Sequence, residues 1–163
     1  MMQFTMKSIE NGWDSFKPSL SVYLEEPMLS EAKEDELLRE IYMAALSLEL
    51  YCIPFAFEPE TAALISKEMA AIMASEAFAS HQLAEPIHQI YIPLFQQVSA
   101  SLPDEHALAL VEAAATILYE RLNLPRKPAH AETSLLWAKL VPYLIQAVGK
   151  WPIILSKFTI QSS

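Results

Sequence analysis

A chain of 163 residues, 53% apolar and with a formal net charge of −9, is long enough to bury a core of its own and too acidic for a dedicated DNA or RNA binder. Its two glycines, Gly12 and Gly149, cannot build a glycine-rich phosphate loop, a dinucleotide fingerprint or a nucleophile elbow, all of which need several glycines at close spacing. Its one cysteine, Cys52, excludes an intrachain disulfide and a cysteine-based zinc cluster, and reads as a small buried apolar residue at a helix end.

The opening MMQFTMKSIENGWD has no apolar run after its lysine and does not read as a signal peptide. The clearest helix is expected over 31–52. Ser30 is its N-cap, and Glu31, Glu34, Asp35 and Glu36 crowd the first turns, where the helix dipole favours negative charge. Leu37, Ile41, Ala44, Leu48 and Tyr51 recur as one buried face, and Ile53-Pro54 is expected to end the helix.

Pro59 suits the first position of a second helix, reaching to about Ser80 with Ile65, Met69, Ile72 and Met73 inward. A third opens near Pro86 and carries Ile87, Ile90, Tyr91, Leu94 and Val98; Pro93 inside it predicts a kink. Pro103-Asp104-Glu105 starts a fourth, with Leu108, Val111, Ala115, Leu118 and Leu122 inward, stopped by Asn123 and Pro125.

After the loop LPRKPAH comes a fifth helix, about 131–148, closed by Gly149. Glu132, Lys139, Gln146 and Lys150 form its one narrow polar stripe, so this helix is expected at the centre of the bundle. Pro152 can begin a short last helix.

The pattern predicts an all-α fold: a single domain, 1–163, of five to six helices in an irregular or orthogonal bundle. The alternative is a short α-solenoid of three helical hairpins. Ile53-Pro54, Leu102-Pro103 and Trp151-Pro152 recur at 49-residue spacing, although the residues between them agree poorly.

Charge divides the chain unevenly. Residues 1–120 hold nineteen acids against five basic residues, a charge of −14; residues 121–163 hold six basic residues against Glu132, a charge of +5. The basic part is also strongly apolar, LLWAKLVPYLIQAVGKWPIILSKF. An acidic body followed by a basic apolar C-terminal region suggests a surface made to meet its own body, a second copy, another protein or a membrane. No window is long and uncharged enough for a membrane span.

Metal chemistry has one candidate. His81, Glu85 and His88 are spaced four and three apart, as ligands on one helix face would be, but Pro86 should break the helix between them. Glu76 falls on an apolar stripe, where burial would raise its pKa. Glu105, His106, Glu112 and Glu120 read as a solvated face, or as an acidic surface that receives Lys139 or Arg126, and His130 has no partner near it in sequence.

The leading reading is a non-enzymatic, cytoplasmic helical interaction protein, an adaptor, regulator or chaperone-like binder with no cofactor. It is expected to act on a protein partner or on itself as a homo-oligomer. Trp137, Tyr143, Trp151, Ile154 and Phe158 are the expected anchors of its C-terminal surface, and Lys150 and Lys157 orient it electrostatically. Peripheral membrane contact through the same tail is a further expectation. The alternative is a helical bundle, catalytic or not, that binds a metal, haem or apolar small ligand near His81, Glu85 and His88.

Overall fold

The computed structural model describes residues 2–24, 28–75, 82–101, 106–124 and 132–151. Among these there are six helices and no strand. The all-α expectation holds, and no described helix is long and apolar enough to cross a membrane.

Helix α1, Met2–Leu24, was not anticipated. Its pattern is plain in retrospect: Ile9, Trp13, Phe16, Leu20 and Tyr23 alternate at spacings of four and three, and all are buried. Pro18 lies inside the helix on its exposed side, where the carbonyl of Asp14 that it leaves without a helical donor can reach water.

Helix α2, Glu31–Ala56, begins as expected, with Ser30 accepting from the Lys33 N–H at 3.3 Å. It runs through Pro54 instead of stopping there. The proline removes one hydrogen bond, but Pro54 is exposed and the Phe57 N–H still reaches the Ile53 carbonyl at 3.2 Å, which completes the final turn.

This helix, not the last one, is the centre of the bundle. Every residue from Glu40 to Glu49 is buried, and α2 touches each of the other five helices. A solenoid stacks each repeat on its sequence neighbours alone; a hub contacted from both ends of the chain is an irregular bundle.

Helix α3, Pro59–Met73, packs on α2 through Ala62, Met69 and Met73 and leaves Ile72 exposed. The next helix, α4, is a composite over 84–101. It opens with Ala84–Pro86, passes through a π-helical turn, Ile87–Tyr91, and ends as Ile92–Ser101. Pro86 does not break it, because a proline in the first turn has no helical N–H to lose.

The π turn immediately precedes Pro93, where a kink was expected. Its wider spacing displaces the carbonyl that the Pro93 ring would meet in a regular helix. It also offsets the drift of four-residue spacing, so that Ile87, Tyr91 and Phe95 all point inward and are fully buried.

Helix α5, His106–Arg121, buries Leu110, Val111, Ala114, Ala115, Leu118 and Leu122. Asn123 ends it in the left-handed conformation, φ 50°, with the Leu124 N–H on the Tyr119 carbonyl at 2.9 Å. Helix α6, Glu132–Val148, turns Leu136, Leu140, Leu144 and Ala147 inward and keeps Lys139 and Ile145 exposed. Gly149 does not take the left-handed stop, and helical backbone resumes at Lys150 and Trp151.

Candidate functional site

A central helix buried on all sides leaves no solvent for the acids it carries, and α2 carries two in its buried stretch. Glu40 and Glu49 are 3% and 0% exposed. A carboxylate withdrawn from water needs a cation and hydrogen bonds. Both acids find them in the basic C-terminal region.

Glu40 receives Arg121, from the end of α5, in a two-pronged contact: Nε donates to Oε2 at 2.6 Å and Nη2 to Oε1 at 3.0 Å. The planar guanidinium matches the two carboxylate oxygens, which is the strong form of this pairing. The carboxylate in turn holds the Arg121 pKa above its ordinary value. Tyr91, buried by the π turn, lies in the field of the same pair; burial first, then the Glu40 charge, pushes its phenol well up.

Glu49 sits at a three-element junction. Its Oε1 accepts from the Thr5 hydroxyl on α1 and from the Lys150 ammonium, which also reaches Thr5. The indole N–H of Trp151 donates to the Glu49 backbone carbonyl at 2.8 Å. Burial raises the Glu49 pKa, with Lys150 opposing the shift. One turn on, burial and then the Glu49 charge push the Cys52 thiol up to about 11. Cys52 is therefore a neutral, buried thiol at physiological pH, as its place in the sequence suggested.

Trp151 is the correction that matters most. It was expected as a surface anchor, yet it is 1% exposed, with its ring edge-on to Phe57 at 5.2 Å. Lys150, expected to orient a partner, is held by Glu49 instead. The cause is the clasp itself: two successive residues converge on one glutamate and draw the end of the described chain into the core.

Tyr143 is half-buried. It stacks on Phe16 at 6.1 Å, and its hydroxyl donates to the Ser8 carbonyl at 3.3 Å. Gly12 makes room for it, since a Cβ there would stand 3.0 Å from the ring. Trp137 lies on α6, but its side chain is outside the described residues, as are Ile154, Lys157 and Phe158 altogether.

Of the metal candidates only Glu85 and His88 fall among the described residues. Glu85 and His88 are exposed on α4, and Glu85 accepts from the Gln89 amide at 3.2 Å. His81 lies outside the described residues, as do Glu76, Glu105 and His130. Among the described residues no three histidine, cysteine, aspartate or glutamate side chains stand close enough to hold one ion. Glu112 and Glu120 are exposed on α5.

What sequence reading missed is a line of aromatic rings running from core to surface. Tyr91 meets Phe95 at 6.1 Å, Phe95 meets Tyr51 edge-on at 5.4 Å, and Tyr51 meets Phe55 at 5.6 Å. The Tyr51 hydroxyl donates to Ser99 Oγ at 2.8 Å, tying α2 to α4. Phe55 is 64% exposed. It lies just beyond Pro54, in the turn that carries α2 past its expected end.

Compared with protein-family models, with curated proteins and with solved structures, the chain matches none of them.

Proposed function

We propose that this chain is a non-enzymatic helical interaction protein, an adaptor or regulator that works by presenting apolar side chains to a protein partner. The observation that carries the reading is Phe55. A phenylalanine 64% exposed forgoes much of the about 1.5–3 kcal/mol that full burial gives, and this one sits on the last turn of the hub helix, against Tyr51. An exposed aromatic side chain on a rigid element is what an interface anchor needs, because little conformational freedom is lost when a partner covers it.

The buried acids fit the same reading. Glu40 and Glu49 each have an internal cation and link helices distant in sequence, which is a structural role. The C-terminal aromatic region contributes to the core as far as Trp151, so the surface we assign centres on Phe55 rather than on that region.

The test is the size of the protein in native extract. The reading expects it to elute well above the 18.3 kDa of one chain, and Phe55→Ser to return it to the monomer position. Elution as a monomer from the outset, or an unchanged profile in Phe55→Ser, would contradict it.

A further inference from the structure

Where the described lysines form ion pairs, each has its own glutamate: Lys17 stands on Glu34, Lys33 on Glu36 and Lys150 on Glu49. Glu40 is different, because two arginines share it. Arg121 of α5 takes both of its oxygens through Nε and Nη2. Arg39, the residue before Glu40 on α2, brings its Nη2 to 3.8 Å from Oε1. One carboxylate between two guanidiniums leaves this cluster a charge of +1, in a chain whose net charge is −9.

Arg39 is the poorly served member. At 3.8 Å it makes no hydrogen bond to Glu40, and its Nε is shielded from water with no hydrogen-bond partner among the described residues. Asp35, one helical turn earlier, forms no ion pair with it. The Tyr91 hydroxyl, in the field of the same cluster, is also buried without a partner among the described residues. Donors therefore exceed acceptors around Glu40, and such a cluster lacks an acceptor that carries negative charge.

We infer that Arg39 and Arg121 together bind a small oxyanion, a phosphate or a carboxylate group, beside Glu40. Both are accessible, with 42% and 28% of their side chains exposed. Their Nη2 atoms stand 3.8 and 3.0 Å from the same oxygen, Oε1, and so no more than 6.8 Å from one another. Charge-assisted N–H···O contacts are about 2.7–2.9 Å long, and two of them from adjacent oxygens of one anion span a gap of that size. Arg39, which no hydrogen bond holds in place, gains most by turning onto such a ligand.

Electrostatics sets the strength. Repulsion from distant acids is screened beyond about 8 Å at physiological salt, so the local charge of the cluster decides. Glu40 opposes the anion at close range, which limits the affinity to the order of millimolar. The site does not involve Phe55, so it stands or falls apart from the interaction reading.

Heteronuclear NMR of the arginine Nε–H groups in the full chain tests this. The probes are inorganic phosphate and acetate, each taken to about 100 mM with sodium chloride holding the ionic strength constant. The Arg39 and Arg121 signals should move along a saturating curve. Saturation by phosphate alone identifies a phosphoryl ligand, and saturation by acetate identifies a carboxylate. Arg39→Gln should weaken the binding read at Arg121 by about tenfold or more, and its retained Arg121 signal shows that the Glu40 pair is still formed. Lys67→Gln, at an exposed lysine of α3, should leave the binding unchanged. Shifts that stay linear with both probes would overturn the site. Equal affinity in Arg39→Gln, or an equal loss in Lys67→Gln, would overturn it too.

Discussion

Glu49 and Lys150 close an ion pair between the centre of the hub helix and the last described turn of the chain, with Thr5 of the first helix completing it. The contact joins residues 101 positions apart, and Trp151 adds its indole N–H to the same glutamate's carbonyl. The charge asymmetry of the sequence thus has an intramolecular component. Arg121 on Glu40 repeats the arrangement at the other end of the buried stretch.

The pair on Glu49 has a half-buried counterpart in Lys17 with Glu34, and the two should respond to pH with opposite sign. Burial holds the Glu49 carboxyl above its ordinary 4.5. Below 4.5 the group is neutral in both folded and unfolded chains; as pH rises, the unfolded chain ionises first, and the stability is lost through the folded pKa. Glu34 is held below 4.5, first by the Lys17 hydrogen bond and then by the one from Trp13. Its contribution is present above 4.5 and is lost as pH falls through the lower folded value. Urea unfolding over a pH series should show the advantage of wild type over Glu49→Gln shrinking as pH rises. The advantage over Glu34→Gln should grow. Slopes of the same sign would refute the assignment.

Arg121 should not be replaceable by lysine. Arg121→Lys keeps the charge but forfeits one prong of the contact with Glu40, at a cost of about 1.5–3 kcal/mol. Arg121→Ala removes the two-pronged contact, leaves the buried Glu40 only Arg39, whose Nη2 stands 3.8 Å away, and should cost about 3–5 kcal/mol. Chemical denaturation of the two variants ranks them, and equal stability of all three proteins would mean the pair is not formed.

Gly12 is a place where alanine should fail to help. In the interior of a helix Gly→Ala ordinarily gains about 1 kcal/mol. Here the new Cβ would lie 3.0 Å from the Tyr143 ring, which is held between Phe16 and the Ser8 carbonyl. Gly12→Ala should therefore be neutral or destabilising, and it should become stabilising in a Tyr143→Leu background. Additive effects in that double-mutant cycle would exclude the contact.

The fold class was legible because helical periodicity and N-terminal signals are local. Ser30 with its acidic turn, Pro59 at a first position and Asn123 at a stop all sit where the residues themselves dictate. Proline proved the weaker guide. Pro54, Pro86 and Pro93 were read as breaks or kinks, whereas an exposed ring, a first-turn position and a π turn accommodate them. The centre of the bundle was misassigned because α2 holds acids that disguise its burial. Glu40 and Glu49 look like polar breaks in an apolar run until their partners arrive from 81 and 101 residues away. Trp151 was read as a surface anchor for the same reason: an aromatic beside a lysine looks interfacial in sequence, and only the distant Glu49 makes both internal.

The placement of the C-terminal helix end inside the core is the claim on which the rest depends, since it is why the surface we propose for interaction centres on Phe55 rather than on that region. The measurement that tests it most directly is the unfolding free energy of Trp151→Ala against wild type. A tryptophan buried against Phe57 and bonded to Glu49 should cost about 3–5 kcal/mol when truncated. A loss within about 0.5 kcal/mol, the range of an exposed position, would place Trp151 on the surface and contradict the account.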